Sequence, residues 1–306
     1  MNRHSRALTL VLFTVAAPAV GQEQAKAAPQ AKQVDSLQPS AADLAQHVLA
    51  LQERTKGKSF TFAIERPFVV VGDGPAASLR GQSAQTVRWA VDLLRQDFFA
   101  KDPEEIIDVF AFKDADSYEQ NAWELFHDKP DTPYGYYSAR ERALVMNIET
   151  GYGTLVHELV HPFVRANIPD CPPWFNEGLA SLYEQSTEDG GHIVGLINWR
   201  LSGLQKQIRG KRLASFKTLT AMDDKEFYQG DEDHYAQSRY LMLYLQERGL
   251  LRHFVQRFVR DRRSDPTGYQ TLVSVLGKPD MAAFQRRWEK YTGALDPRGD
   301  RAPAPE

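Results

Sequence analysis

His157-Glu158-Leu159-Val160-His161 lies in a stretch, Leu155 to Val164, whose remaining members are all apolar or proline. Such a run is driven into a core, where two imidazoles and a carboxylate are tolerated only when paired with one another or with a cation. On a helix, positions i and i+4 are rotated by about 40°, so both imidazoles leave one face together with Glu158 beside them. That spacing suits a tetrahedral zinc ion. The chain is therefore constrained to a fold that buries this helix yet leaves a ligand-binding face. A chance occurrence would leave the pair on a solvated helix face, and the apolar Val156, Leu159 and Val160 argue against it. Pro162 follows the second histidine, and an interior proline costs a helix about 3 kcal/mol, so a kink or local distortion is expected there.

Two histidines leave a catalytic zinc one protein ligand short. A candidate stands sixteen residues after His161, in Trp174-Phe175-Asn176-Glu177-Gly178-Leu179-Ala180. Pro172-Pro173 ends the preceding loop, Asn176 is a fitting helix cap, and Glu177 would then occupy the first turn. Two histidines and one glutamate make the ligand set of metallohydrolases. Cys171, the only cysteine, excludes an intramolecular disulfide; it reads as a small buried hydrophobe rather than as a ligand.

Elsewhere the sequence supplies the frame. Residues 1–21 have the layout of an export signal, with Arg3 and Arg6 before the apolar run Ala7–Val20 and small residues at Ala19-Val20-Gly21. That run is too short to span a bilayer, so no stable membrane insertion is expected after cleavage. Residues 22–40 read as a flexible tether and 296–306 as a disordered tail. The 37 basic and 40 acidic side chains give a net charge of −3, which offers no basic face for nucleic acid.

Between tether and tail, periodicity predicts helices over 43–54, 82–99 and 114–126 and strands over 60–64, 68–71, 106–112, 136–138 and 143–148. After Glu177 no strand is expected, and 201–208, 235–248, 251–261 and 281–291 all carry helical spacing. The expected organisation is α+β, with an α/β lobe at 41–175 carrying the site helix and a helical lobe at 176–295 supplying the third ligand.

His157–His161, the stretch Pro173 to Ala180, and Tyr235-Ala236-Gln237-Ser238 before the apolar Tyr240–Leu245 together resemble the peptidase MA-like domain of the gluzincin zinc metallopeptidases. The resemblance spans about Ala143 to Tyr291. It implies a thermolysin-like zincin with a mixed sheet in the first lobe, Zn²⁺ held by His157, His161 and Glu177, and Glu158 as the group that activates water for peptide-bond hydrolysis. Tyr235 is the implied donor to the tetrahedral intermediate, with His234 and Tyr240 as alternatives. The strand at 143–148 would be either a sheet edge that pairs with an extended substrate or an ordinary core strand. The Gly-x-Met-Glu-Asn stretch of the gluzincin aminopeptidases is missing before His157, which favours an endopeptidase. The expected protein is exported, periplasmic or secreted from a bacterium, with a peptide or protein substrate. The alternatives are a catalytically silent binding module of the envelope and a zinc amidase acting on cell-wall peptides.

Overall fold

The computed structural model describes residues 38–229 and 231–299. The expected signal at 1–21, the tether as far as residue 37 and the tail from residue 300 lie outside the described residues. Helix α1 (Ala41–Arg54) begins at a capping box in which Ser40 and Asp43 satisfy each other's backbone amides. Strands β1 (Thr61–Glu65) and β2 (Phe68–Gly72) follow, then the short α2 (Ala76–Ser78), which runs through a π turn, Leu79–Ser83, into α3 (Ala84–Asp97). Next come β3 (Ile107–Phe112), α4 (Ala115–Phe126) capped by Asp114, β4 (Gly135–Ser138) and β5 (Ala143–Asn147).

The five strands form one mixed sheet in the order β1-β2-β3-β5-β4, with β2, β3 and β5 parallel and the two outer strands antiparallel to their neighbours. Every residue of β2, β3 and β5 is buried, because helices cover both faces. The alternation of side chains sorts them. Val69, Val71, Phe110, Phe112 and Val145 pack under α1 and α4, while Phe68, Val70, Val109, Leu144 and Met146 join the larger core beneath α3 and the site helix. Strand β5 lies between β3 and β4 and is not a sheet edge; the edge on that side is β4. A substrate strand therefore cannot add to β5, whose backbone groups are already taken on both sides.

A single 3₁₀ turn, Ile148–Thr150, separates β5 from α5 (Gly153–Asn167), which carries the His-Glu-x-x-His stretch. The helix continues through Pro162, whose ring nitrogen has no hydrogen to give to the Glu158 carbonyl. Helix α6 (Pro173–Leu182) packs on α5 and crosses the expected lobe boundary at residues 175 and 176. It begins four residues earlier than expected. Pro172 is the cap and Pro173 the first helical residue, a position that needs no amide, so Asn176 does not cap the helix and is free for another contact.

The expectation of no strand after Glu177 is corrected by a hairpin of β6 (Ser186–Asp189) and β7 (His192–Gly195). Its two-residue loop is Gly190-Gly191, both at positive φ (57° and 79°) as a primed turn requires. Both strands are only four residues long and β6 is wholly polar, so Ile193 and Val194 of β7 alone made no alternating pattern. Helices then follow: α7 (Arg200–Gly210), α8 (Phe216–Ala221), α9 (Asp224–Gln229), α10 (Asp231–Glu247), α11 (Leu251–Asp261), α12 (Tyr269–Val275) and α13 (Met281–Ala294). Helix α10 lies close along α6, where a Cβ on Gly178 would stand 3.0 Å from the Ser238 Cβ and 3.2 Å from its backbone. Arg239 of α10, fully buried, turns its guanidinium to the Ser181 carbonyl at the C-terminal end of α6, where the helix dipole favours a cation, and to the Leu196 carbonyl just after β7. Among the described residues no helix is long and apolar enough to cross a membrane.

Candidate metal centre

Two helices bring the donors together. His157 sits on the buried face of α5 at 8% exposure, and Glu177, on α6, is 5% exposed. Trp174 fixes the start of α6 by donating its indole N–H to the Thr267 carbonyl at 2.8 Å. The His157 and His161 rings stand 4.9 Å apart at 75°. Their Nε2 atoms converge on the same oxygen, Glu177 Oε2, at 3.4 Å from His157 and 3.9 Å from His161. Glu158 stands beside the pair, with one donor atom from each of His157, Glu158 and His161 mutually within 4.8 Å. All three residues of the sequence-derived ligand set are thus adjacent, and Glu158 borders them.

The partners of the opposite ring nitrogens settle the tautomers. His161 Nδ1 is 2.9 Å from Asn176 Oδ1, and the Asn176 amide nitrogen is turned towards Glu177 at 3.4 Å. The amide oxygen can only accept, so His161 Nδ1 carries the hydrogen. His157 Nδ1, enclosed and without a straight hydrogen bond, lies 3.2 Å from Glu184 Oε1, which again can only accept. Both Nε2 atoms are then left with lone pairs aimed at a carboxylate oxygen. Three lone pairs converging in a buried site repel one another unless a proton or a cation lies between them. Imidazole and carboxylate donors in this number suit zinc, so the residues fit the ion expected from the sequence.

Charge points the same way. Burial works against a charged His157, but its contacts with Glu177 and Glu184 prevail and lift its pKa to about 10. Burial also opposes the Glu177 carboxylate, and His157, His161 and the Tyr228 hydroxyl outweigh it, bringing the pKa to about 2. Glu184 is likewise brought to about 2 against its burial, by His157 and Arg200. Without metal, a proton on His157 supplies the positive charge that two buried carboxylates demand.

Several residues around the donors escaped the sequence reading. Glu184, just past α6, is gripped by the Arg200 guanidinium at 2.9 and 2.7 Å and by Asn198 at 3.1 Å. Its offset of seven residues from Glu177, two helical turns, was a usable signal. Tyr228 of α9 donates its hydroxyl to Glu177 Oε1 at 2.8 Å, and nothing in its local sequence marks it.

Tyr235 is half-buried on α10, its ring 6.2 Å from that of Tyr228 and 5.3 Å from the Arg200 guanidinium carbon. Of its two alternatives, His234 bonds the Phe227 carbonyl through Nδ1 at 2.9 Å, and the buried Tyr240 hydroxyl bonds the Asn198 backbone at 3.2 Å. Cys171 donates its thiol to the Pro172 carbonyl at 3.6 Å, and burial holds its pKa well above the usual range. An inert, protonated thiol is the result.

No family model matches the chain, and no curated protein sequence matches it.

Proposed function

We propose that the chain is an exported zinc metallopeptidase, a gluzincin of the thermolysin-like fold, which hydrolyses peptide bonds within peptide or protein substrates. The observation that carries this reading is the convergence of the two Nε2 atoms on the Glu177 carboxylate, with Asn176 and Glu184 facing the opposite ring nitrogens. His157, His161 and Glu177 would hold the ion. When bound, zinc supplies a Lewis acid that polarises a carbonyl and acidifies water.

The remaining work belongs to the chain's own groups. Glu158, next to the donors, takes the proton of the attacking water and returns it to the leaving amine. Glu184 and Asn176 keep the imidazoles in the tautomer that presents Nε2. Tyr228 fixes the rotation of the Glu177 carboxylate, and Tyr235, on the same rim, is assigned the donor role towards the developing oxyanion. The missing Gly-x-Met-Glu-Asn stretch supports internal cleavage over removal of terminal residues.

Elemental mass spectrometry of the purified protein beside Glu177→Ala tests the centre. About one zinc per chain, lost in the variant, is expected. Protein that neither contains nor takes up zinc would overturn the reading. Zinc-bound protein that cleaves no peptide would shift it to a binding module.

A further inference from the structure

A cavity of about 190 Å³, lined by none of the candidate metal donors, opens where the end of α3 meets β7 and the start of α11. Asp97, its side chain 2% exposed, is the charge at its base. His192 Nδ1 stands 2.6 Å from Asp97 Oδ1, Arg252 Nη1 stands 3.4 Å from the same oxygen, and the Ile193 amide donates to Oδ2 at 3.0 Å. Arg252 Nη1 is also 2.6 Å from His192 Nδ1, with Gln96 Nε2 at 3.4 Å. A carboxylate can only accept and a guanidinium can only donate, so His192 Nδ1 cannot satisfy both neighbours. Whichever way that nitrogen is protonated, one of its two closest contacts repels.

The groups that face the cavity are donors. Arg252 makes both of its contacts through Nη1, and its Nε and Nη2, the pair that meets a carboxylate side-on, have no partner among the described residues. Tyr183 lines the same cavity, and its hydroxyl, fully buried, has no hydrogen-bond partner there. Burial first, and Asp97 after it, hold the Tyr183 pKa well above the usual phenol value, so the hydroxyl keeps its hydrogen. Of the two carboxylates at the cavity, Asp97 is taken up by its contacts with His192, Arg252 and Ile193, and Asp189 lies exposed, where solvent screens it. Phe98 and Leu251 add an apolar wall. The volume is that of about six water molecules, enough for a carboxylate and a few carbons beside it.

We propose that this cavity binds a small monocarboxylate with a short apolar tail, its oxygens held by Arg252 Nε and Nη2 and by the Tyr183 hydroxyl and its tail against Phe98 and Leu251. Turning Arg252 towards the ligand takes Nη1 away from His192 and leaves Nδ1 to donate to Asp97 alone. The site stands independently of the reading of the metal centre.

Titration calorimetry of the purified protein with isovalerate and isovaleramide tests it, since the two share a shape and only the first is charged. Isovalerate should bind about tenfold more tightly. Arg252 is half exposed, so Arg252→Gln should fold, checked by circular dichroism, and it should remove that advantage. Tyr183→Phe deletes a hydroxyl that bonds nothing in the protein, so it should keep the melting temperature and weaken isovalerate by about tenfold. N-acetyl-leucine separates two sources of the same chemistry: it should bind if the site takes the end of a peptide chain and be excluded if it takes a free acid. Binding of neither acid, equal affinity for isovalerate and its amide, or an isovalerate affinity unchanged in either variant would overturn the site.

Discussion

Glu184→Gln separates the two tasks that the structure gives this carboxylate. The substitution keeps the volume and one acceptor oxygen but removes the charge that faces His157 Nδ1 at 3.2 Å and the Arg200 guanidinium at 2.9 and 2.7 Å. Arg200, its side chain 9% exposed, would lose the charge that its guanidinium grips at two points. Removing one partner of a buried pair costs about 3–5 kcal/mol, and in a protein of this size each kcal/mol moves Tm by about 2–4 °C. Thermal unfolding in chelator should therefore fall by roughly 6–20 °C. Separately, losing the group that orients a ligating histidine weakens metal binding by about 10–100-fold. Zinc affinity, read by competition with a chromophoric chelator, should drop by that factor. Unaltered zinc affinity in Glu184→Gln would refute the orienting role and leave an ion pair that serves the fold alone.

Glu158→Gln should keep its zinc and lose peptide hydrolysis by about 10²–10⁴-fold, since it removes the base and spares the ligands; retained turnover would sink the mechanism. Tyr235→Phe should slow turnover with zinc content unchanged, and an unaltered rate would remove the donor role from Tyr235. The metal-free protein should also show a stability maximum in pH. His157, raised from 6.5 to about 10, contributes fully below pH 6.5 and loses that contribution as pH climbs to about 10. Glu177 and Glu184, lowered from 4.5 to about 2, contribute above pH 4.5 and lose it as pH falls towards 2. These are the same ion pairs seen from both partners, so chelated protein should melt highest between about pH 4.5 and 6.5. A melting temperature that falls neither between pH 4.5 and 2 nor between pH 6.5 and 10 would show that the pairs do not hold the metal-free centre.

Much of the frame was legible because local rules sufficed. Asp114 announces a helix start through side-chain capping, and the mostly apolar β3 reads as a buried strand, whereas Ser40, read as the end of the tether, caps α1 two residues before its expected start. Asp189-Gly190-Gly191-His192 carried a hairpin signal as plain as any cap, yet the polar β6 and the adjacent Ile193 and Val194 of β7 left no hydrophobic alternation to weigh beside it. Asn176 illustrates the opposite failure. Its identity suits a helix cap, but Pro172-Pro173 is pre-set for the helix start, and the displaced amide instead orients His161.

What the sequence determined by itself is the chemistry of one helix face: two imidazoles and a carboxylate within five residues, whose relative placement follows from helical geometry alone. Glu177 could be named as a candidate from its type and its setting, but its oxygen reaches both imidazoles only because α6 is packed on α5. The tertiary structure alone decided the rest. Glu184, Arg200 and Tyr228 meet the centre from a loop and two further helices, and Gly178 lets α10 approach α6 so closely that an added Cβ would press on Ser238 at 3.0–3.2 Å. Contacts of that kind depend on how elements pack around a shared core, and packing is a property of the whole chain that no local pattern records.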